Sequence, residues 1–461
     1  MEIFSIISGL FLLTIVLGSG LLKSGKITTE NQYLLANRKT KLFALTATLV
    51  MTEFNTSTLI AFSSAGYYAG FWALTLPFVF LFGLLFYAFT VAKKWKGFNG
   101  ISVAYYFSER YGHDIGRLVA SILFVSMLGF SATYIRSCTI IFSPLFPHLN
   151  RWSLSALITA AILLMTWRGG LVAIIRTDII SFCIIMIFFP LLLLYVYQLP
   201  SHSTIKPSTL FEMQQALPPK FIVSLVFLTM FSYILAPWYG QKIISAESPR
   251  VAYQAIILAA FLVFAFYFMG VTAVSLLKVK GVALADPQNA FPYIINHLIP
   301  SGLQRIGYVV LFLIGATTLS GVWSAMVTLL IGGSDPALSK LQRTLMLTMV
   351  CAFLSYAIAN LFVDQILNKM ILANIPVVAL SFSLLAGFYW QKTNRYGVYT
   401  SVITGLAWGV GCYCKYGDEG LYTWYWAMYG LPLIFLSGIF ATLLFNKRAV
   451  KNKGLLTVHI H

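Results

Sequence analysis

The stretch Leu49-Val50-Met51-Thr52-Glu53-Phe54-Asn55-Thr56-Ser57-Thr58-Leu59 decides the architecture. It lies within an apolar run over 42–66, long enough to cross roughly 30 Å of hydrocarbon, yet its middle is polar. Six of the seven residues from Thr52 to Thr58 are polar and four are Ser or Thr. Such side chains compete with a helical backbone for its hydrogen bonds. Lipid cannot satisfy the backbone groups released in this way, so a span interrupted here has to face protein or a water-filled cavity. The stretch therefore predicts a broken membrane helix that lines an internal site.

The rest of the chain extends that reading. Of 461 residues, 59% are apolar and only 10% charged, where a soluble domain would carry about 25% charged residues. Apolar runs recur near 3–22, 42–66, 70–92, 117–146, 152–167, 170–198, 221–243, 251–277, 304–331, 343–362, 365–390, 398–413 and 421–446. The expected fold class is an all-α polytopic membrane protein of about 13 transmembrane helices, forming one transporter domain over 1–461. No segment between the spans is long enough for a separate catalytic domain, so function has to reside in the bundle.

The net charge of +18 would suit nucleic acid, but its distribution reads as membrane topology. Loops on one side hold about 21 basic residues, among them Lys23, Arg38, Lys93, Arg110, Lys242 and Arg395, against roughly 7 on the other. The positive-inside rule then places the chain in the inner (plasma) membrane, with the N-terminus outside and the C-terminus cytoplasmic. The lipid bilayer, not nucleic acid, is the expected surroundings. The first span lacks a basic leader and cleavage site, and reads as a retained helix.

A second interruption, Ala236-Pro237-Trp238-Tyr239-Gly240, falls in the run 221–243. Pro237 removes a backbone donor and Gly240 adds flexibility. The two interrupted spans are five apart, the second and seventh. That spacing predicts two five-helix repeats, spans 2–6 (42–198) and 7–11 (221–390), flanked by 1–41 and by 391–461. An odd number of helices per unit inverts one repeat relative to the other. Paired broken helices in inverted repeats mark the binding site of many secondary transporters.

Few ionisable residues lie well inside spans: Glu53, Arg136, Asp178 and, nearer the ends, Arg176 and Lys369. A charge at the bilayer centre costs at least about 2.5–3.5 kcal/mol, so such residues usually serve ions, substrates or partners. Glu53 could line a cation site. Burial, which disfavours a charge, would also let it exchange a proton near neutral pH. Its structural alternative is a pair with Arg136. For Asp178, which follows Arg176 and Thr177 near the end of the sixth span, an ion role stands beside an interfacial salt bridge. In the ninth span Thr317, Ser320 and Ser324 share one helix face and offer oxygen ligands for a hard monovalent cation. The cysteines read as inert packing, and the six histidines lie in loops or the tail. No nucleophile–base pair lies within the bundle, so no enzyme and no organic cofactor are expected.

The chain resembles the sodium:solute symporter family. The resemblance rests on Tyr33-Leu-Leu-Ala-Asn-Arg38, Ala65-Gly66-Tyr67 with Gly70, Gly169-Gly170-Leu171 with Thr177-Asp178, Gln241-Lys242 with Ser245-Ala246-Glu247-Ser248, and Phe291-Pro292 through Pro300. It implies the inverted-repeat, LeuT-like fold and uptake of a small organic solute driven by a sodium gradient through alternating access. It further implies a sodium ion held by the main-chain oxygens of Met51 and Phe54, the Thr317 carbonyl and the Ser320 hydroxyl. The family usually carries two adjacent hydroxyl residues in the ninth span, and here Gly321 follows Ser320. Either Glu53 supplies the lost ligand, or it is a proton site and H+ replaces Na+ as the coupling ion. The expected solute cavity is walled by Thr56, Ser57, Phe71, Trp72, Pro77, Tyr233 and Trp238. Its aromatic, sparsely polar character suits a solute with an apolar part. Thr75 and Pro77 disfavour a sugar, which leaves an amino acid or carboxylate-like metabolite. A transporter-like sensor working with a separate signalling partner is the alternative class. Oligomeric state is not legible.

Overall fold

The computed structural model describes residues 36–100, 102–166, 170–199, 209–331, 341–418 and 420–445. The predicted first span and the basic tail lie outside the described residues. Every regular element among those described is helical, apart from one isolated bridge between Thr40 and Ala246. The run 42–66 forms α1 (Leu42–Glu53) and α2 (Thr56–Ala69), followed by a 3-10 segment, Gly70–Thr75, and α3 (Pro77–Thr90). Then come α4 (His113–Phe142), α5 (Arg151–Thr166) and α6 (Gly170–Gln198). The run 221–243 forms α7 (Pro219–Tyr233) and α8 (Pro237–Ile244), followed by α9 (Pro249–Val279), α10 (Ser301–Ile331) and α11 (Leu341–Leu361). Residues 366–389 form α12 (Ile366–Leu372), α13 (Ile375–Ala379) and α14 (Ser381–Tyr389). The chain closes with α15 (Arg395–Tyr416) and α16 (Leu431–Leu444).

Among the described residues, seven helices are long and apolar enough to cross a membrane alone, or nine if two bent pairs each count as one span. Hydropathy runs outnumber them because broken runs yield short pieces. The 12 residues of α1 reach only about 18 Å at 1.5 Å per residue.

Both predicted interruptions occur, but the second lies earlier than its sequence suggests. The helix stops after Tyr233, and Ile234–Ala236 form the break. Pro237 occupies the first turn of α8, where a missing N–H costs nothing, and Gly240 is an ordinary buried helical residue. Proline here starts a helix instead of loosening one. The two broken spans pack together through α1 and α8. Thr40 and the turn after α8 add a clamp, with Thr40 N–H donating to Ser245 O (3.0 Å) and Glu247 N–H to Thr40 O (3.0 Å). The most enclosed long helix is α10, with 89% of its apolar window buried. It runs beside α1, α6 and α8. At the far end of the chain α15 and α16 approach at Gly397, where a Cβ would meet the Thr442 hydroxyl at 2.0 Å and Gly438 O at 2.8 Å. Small residues permit such close helix contact in membranes.

Candidate functional site

At the first break α1 ends at Glu53, and Phe54 (ψ 89°) and Asn55 (ψ 159°) carry the chain out of helical geometry. Asn55 explains why α2 restarts at once. Its Oδ1 accepts from the Thr58 N–H at 2.8 Å, and its Nδ2 donates to Glu53 O at 2.9 Å. Asparagine is among the best N-caps for this reason. Tyr267 of α9 completes the repair: its hydroxyl donates to Glu53 O (2.7 Å) and accepts from the Asn55 N–H (3.0 Å). Tyr267→Phe leaves the buried Asn55 N–H unpaired and takes away one of the two donors to Glu53 O. It should destabilise the protein by about 1–3 kcal/mol, read as a lower unfolding temperature in detergent.

The Met51 and Phe54 carbonyls are among those left available after that repair. No backbone hydrogen bond reaches either among the described residues, and Met51 O accepts only from the Thr318 hydroxyl of α10, at 3.2 Å. On α10 the Ser320 hydroxyl bonds to Ala316 O (2.7 Å) and Thr317 O (3.1 Å). The oxygen-only donor set of Met51, Phe54, Thr317 and Ser320 suits a small hard cation, which unwound carbonyls commonly hold. Thr318, which the three-to-four spacing of Thr317, Ser320 and Ser324 passes over, bonds directly to α1. Beside Gly321 a Cβ would meet nothing within 4 Å, so the missing hydroxyl leaves room rather than a packed substitute.

Asp178 of α6 sits at the same level, fully buried. Its Oδ2 accepts from the Thr48 hydroxyl and from Lys242 Nζ at 3.1 Å, and the Thr317 side chain lies against it. Lys242, taken from sequence as a cation of an inward loop, is corrected by its 1% exposure inside α8. Its ammonium also donates to Thr48 O (2.9 Å) and to the Thr52 hydroxyl. A salt bridge of Asp178 does form, but buried and with Lys242, as α8 packs against α1. Only the tertiary fold brings residues 64 positions apart together; Gln241-Lys242 carried no charge-pairing signal of its own.

Glu53 is 2% exposed and points elsewhere. Its Oε1 accepts from the Tyr233 hydroxyl, with the Trp238 indole beside the carboxyl. It therefore turns toward α7 and α8, not toward the α10 hydroxyls, and does not stand in for the ligand absent at Gly321. Nor does it pair with Arg136, whose charged neighbours are Arg151 and Asp286.

A narrow cavity of about 60 Å³ lies between α2 and α7, with walls from α3, α4, α12 and α13. Tyr233 and Trp238 line it, as expected, together with Asn55, Thr58, Phe80, Tyr134 and Asn374. Thr56 and Ser57 are corrected: both hydroxyls face Ser137 of α4 (2.7 and 3.2 Å), because the cavity takes the Asn55–Thr58 face of α2. Phe71, Trp72 and Pro77 also lie off the wall. They follow α2, whose 14 residues carry the chain about 21 Å from the break. There Phe71 is exposed, Trp72 bonds to Leu217 O at 2.8 Å and Pro77 opens α3.

Comparison with known proteins agrees with this fold. The model of the sodium:solute symporter family matches residues 33–405. A solved sodium-coupled sialic acid symporter, in a substrate-bound outward-open state, is similar at TM-score 0.76 and 16% identity, over 96% of this chain and 97% of that one. Mhp1, a nucleobase-cation-symport-1 family transporter, is similar at 0.58 and 11% identity (92% and 95% covered). MhsT in complex with L-phenylalanine is similar at 0.56 and 12% identity (88% and 98% covered). A search of curated proteins finds no match.

Proposed function

The chain belongs to the sodium:solute symporter family, a family of membrane transporters rather than enzymes, and from that premise we propose how its parts divide the work of sodium-coupled secondary transport. Sodium binds at the break, between the Met51 and Phe54 carbonyls and the Thr317 carbonyl and Ser320 hydroxyl, with Asp178 alongside. A small organic solute binds in the cavity between α2 and α7. The two inverted repeats, 42–198 and 221–390, move against each other to expose that cavity alternately, within a bundle of about 13 spans whose N-terminus is outside. In this reading α1, α8 and the Thr40 clamp form the cytoplasmic side.

One observation supports the ion site: the break leaves the Met51 and Phe54 carbonyls without a backbone donor, and Tyr267 and Asn55 do not recapture them. Sodium bound only to the folded state should stabilise purified protein by RT ln(1 + [L]/Kd), about 2.7 kcal/mol at a hundredfold excess over Kd. The test is thermal unfolding in sodium against potassium chloride. A saturable, sodium-specific rise supports the site. No sodium effect, with a pH dependence lost in Glu53→Gln, would instead make H+ the coupling ion.

The carboxylate-bearing solute expected from sequence finds no fixed cation here. No Lys, Arg or His lines the cavity, so an anionic group would depend on the α2 N-terminus alone.

A further inference from the structure

The geometry points to a small organic monocation, an ammonium group on an apolar body, as the solute of the α2/α7 cavity, with Glu53 as its counter-charge behind Tyr233 and Trp238. This rests on the reading that the cavity is the solute site, and it names the class of solute.

Three observations meet. The cavity wall is uncharged but rich in aromatic faces: Phe80, Phe130, Tyr134, Tyr233 and Trp238 all line it. Aromatic faces attract cations through their quadrupole, and quaternary ammonium groups are commonly held in such cages. Next, Glu53 is the acid directly behind that wall. Tyr233, which lines the cavity, donates to Oε1, while the buried Oε2 has no hydrogen-bond partner. A buried carboxylate oxygen without a donor is costly, and an N–H or N-methyl cation in the cavity would relieve it. Finally, the ion site leaves Glu53 unused. Asp178 takes the position beside Thr317, and Lys242 already pairs with Asp178. A neutral wall plus one carboxylate is complemented by a single positive charge. A zwitterion or an anion would bring a negative charge that no side chain of the wall offsets.

Glu53 acts here as a recognition group, and Tyr233 holds the carboxyl in place until the solute arrives. A swing of the Tyr233 side chain away from Oε1 would expose the carboxylate to the cavity. This gives binding a route to alter the contact between α7 and the end of α1.

The test uses probes that share a phenyl body and differ in charge: phenethylamine, phenylalanine, phenylacetate and neutral 2-phenylethanol. Binding to the full-length protein is measured by thermal stabilisation and calorimetry at millimolar concentrations in sodium. Phenethylamine is expected to bind at least tenfold tighter than the other three. Glu53→Gln should erase that preference while leaving 2-phenylethanol unchanged. Should Glu53→Gln fail to fold, Tyr233→Phe keeps the ring, frees Oε1, and is expected to hold phenethylamine as well as wild type or better. Phenylalanine or phenylacetate binding as tightly as the amine, no amine binding, or amine affinity indifferent to Glu53 would each overturn the proposal. The sodium response of the same samples is read separately. If it persists without amine preference, the cation reading alone fails. If neither ligand has an effect, the symporter reading fails with it. Loss of sodium binding in Glu53→Gln with amine binding intact would reassign Glu53 to the ion and also overturn the proposal.

Discussion

Lys242→Met is expected to destabilise the folded protein by about 3–5 kcal/mol, the cost of stripping one partner from a buried ion pair. Lys242 and Asp178 are both buried, and the ammonium also ties the α1 groups Thr48 O and Thr52 Oγ1 to α8. Without it Asp178 keeps a charge that only the Thr48 hydroxyl and the neighbouring Thr317 side chain contact. Removing both charges should be far milder, since buried pairs are often replaceable by neutral groups of similar size. The double variant Lys242→Met/Asp178→Asn should therefore recover most of the lost stability, a coupling that a double-mutant cycle in thermal unfolding measures directly. If the single variant unfolds at the wild-type temperature, the pair is not what holds α8 to α1 and α6. The pair also bears on the proposed ion site, because a freed Asp178 beside Thr317 would add a negative charge there. Any folded Lys242→Met protein should thus bind sodium more tightly.

The second large effect is expected at the α10 ligands, in opposite directions at neighbouring positions. Ser320→Ala deletes the proposed hydroxyl ligand and should weaken sodium binding at least tenfold, about 1.4 kcal/mol. Gly321→Ser should strengthen it by a similar factor, because a Cβ there meets nothing within 4 Å and needs no repacking. Glycine in the middle of a helix costs roughly 0.5–1 kcal/mol relative to alanine, so Gly321→Ala separates the backbone gain from the added oxygen. The check is the sodium dependence of thermal stabilisation for the three variants. Equal affinities in all of them would move the ion away from α10.

Sequence by itself determined the membrane class, the two broken helices, the family resemblance and the identity of the polar groups at the first break. Those features are local. An 18-residue apolar run, a cluster of Ser, Thr and Asn, or a hydroxyl every three to four residues reports its character without reference to the rest of the chain. The partners of the charged groups were decided by the fold alone. Lys242 reads as one more inward cation until α8 packs onto α1, and Glu53 reads as an ion ligand until Tyr233 is seen to hold it. The cavity wall depended on helix phase and on the bend between α2 and α3, so Asn55 and Thr58 face it while Thr56, Ser57 and Phe71 do not. A one-residue step turns a helical side chain by about 100°. Which face meets a cavity is therefore set by neighbours distant in sequence, and only the packed bundle can specify it.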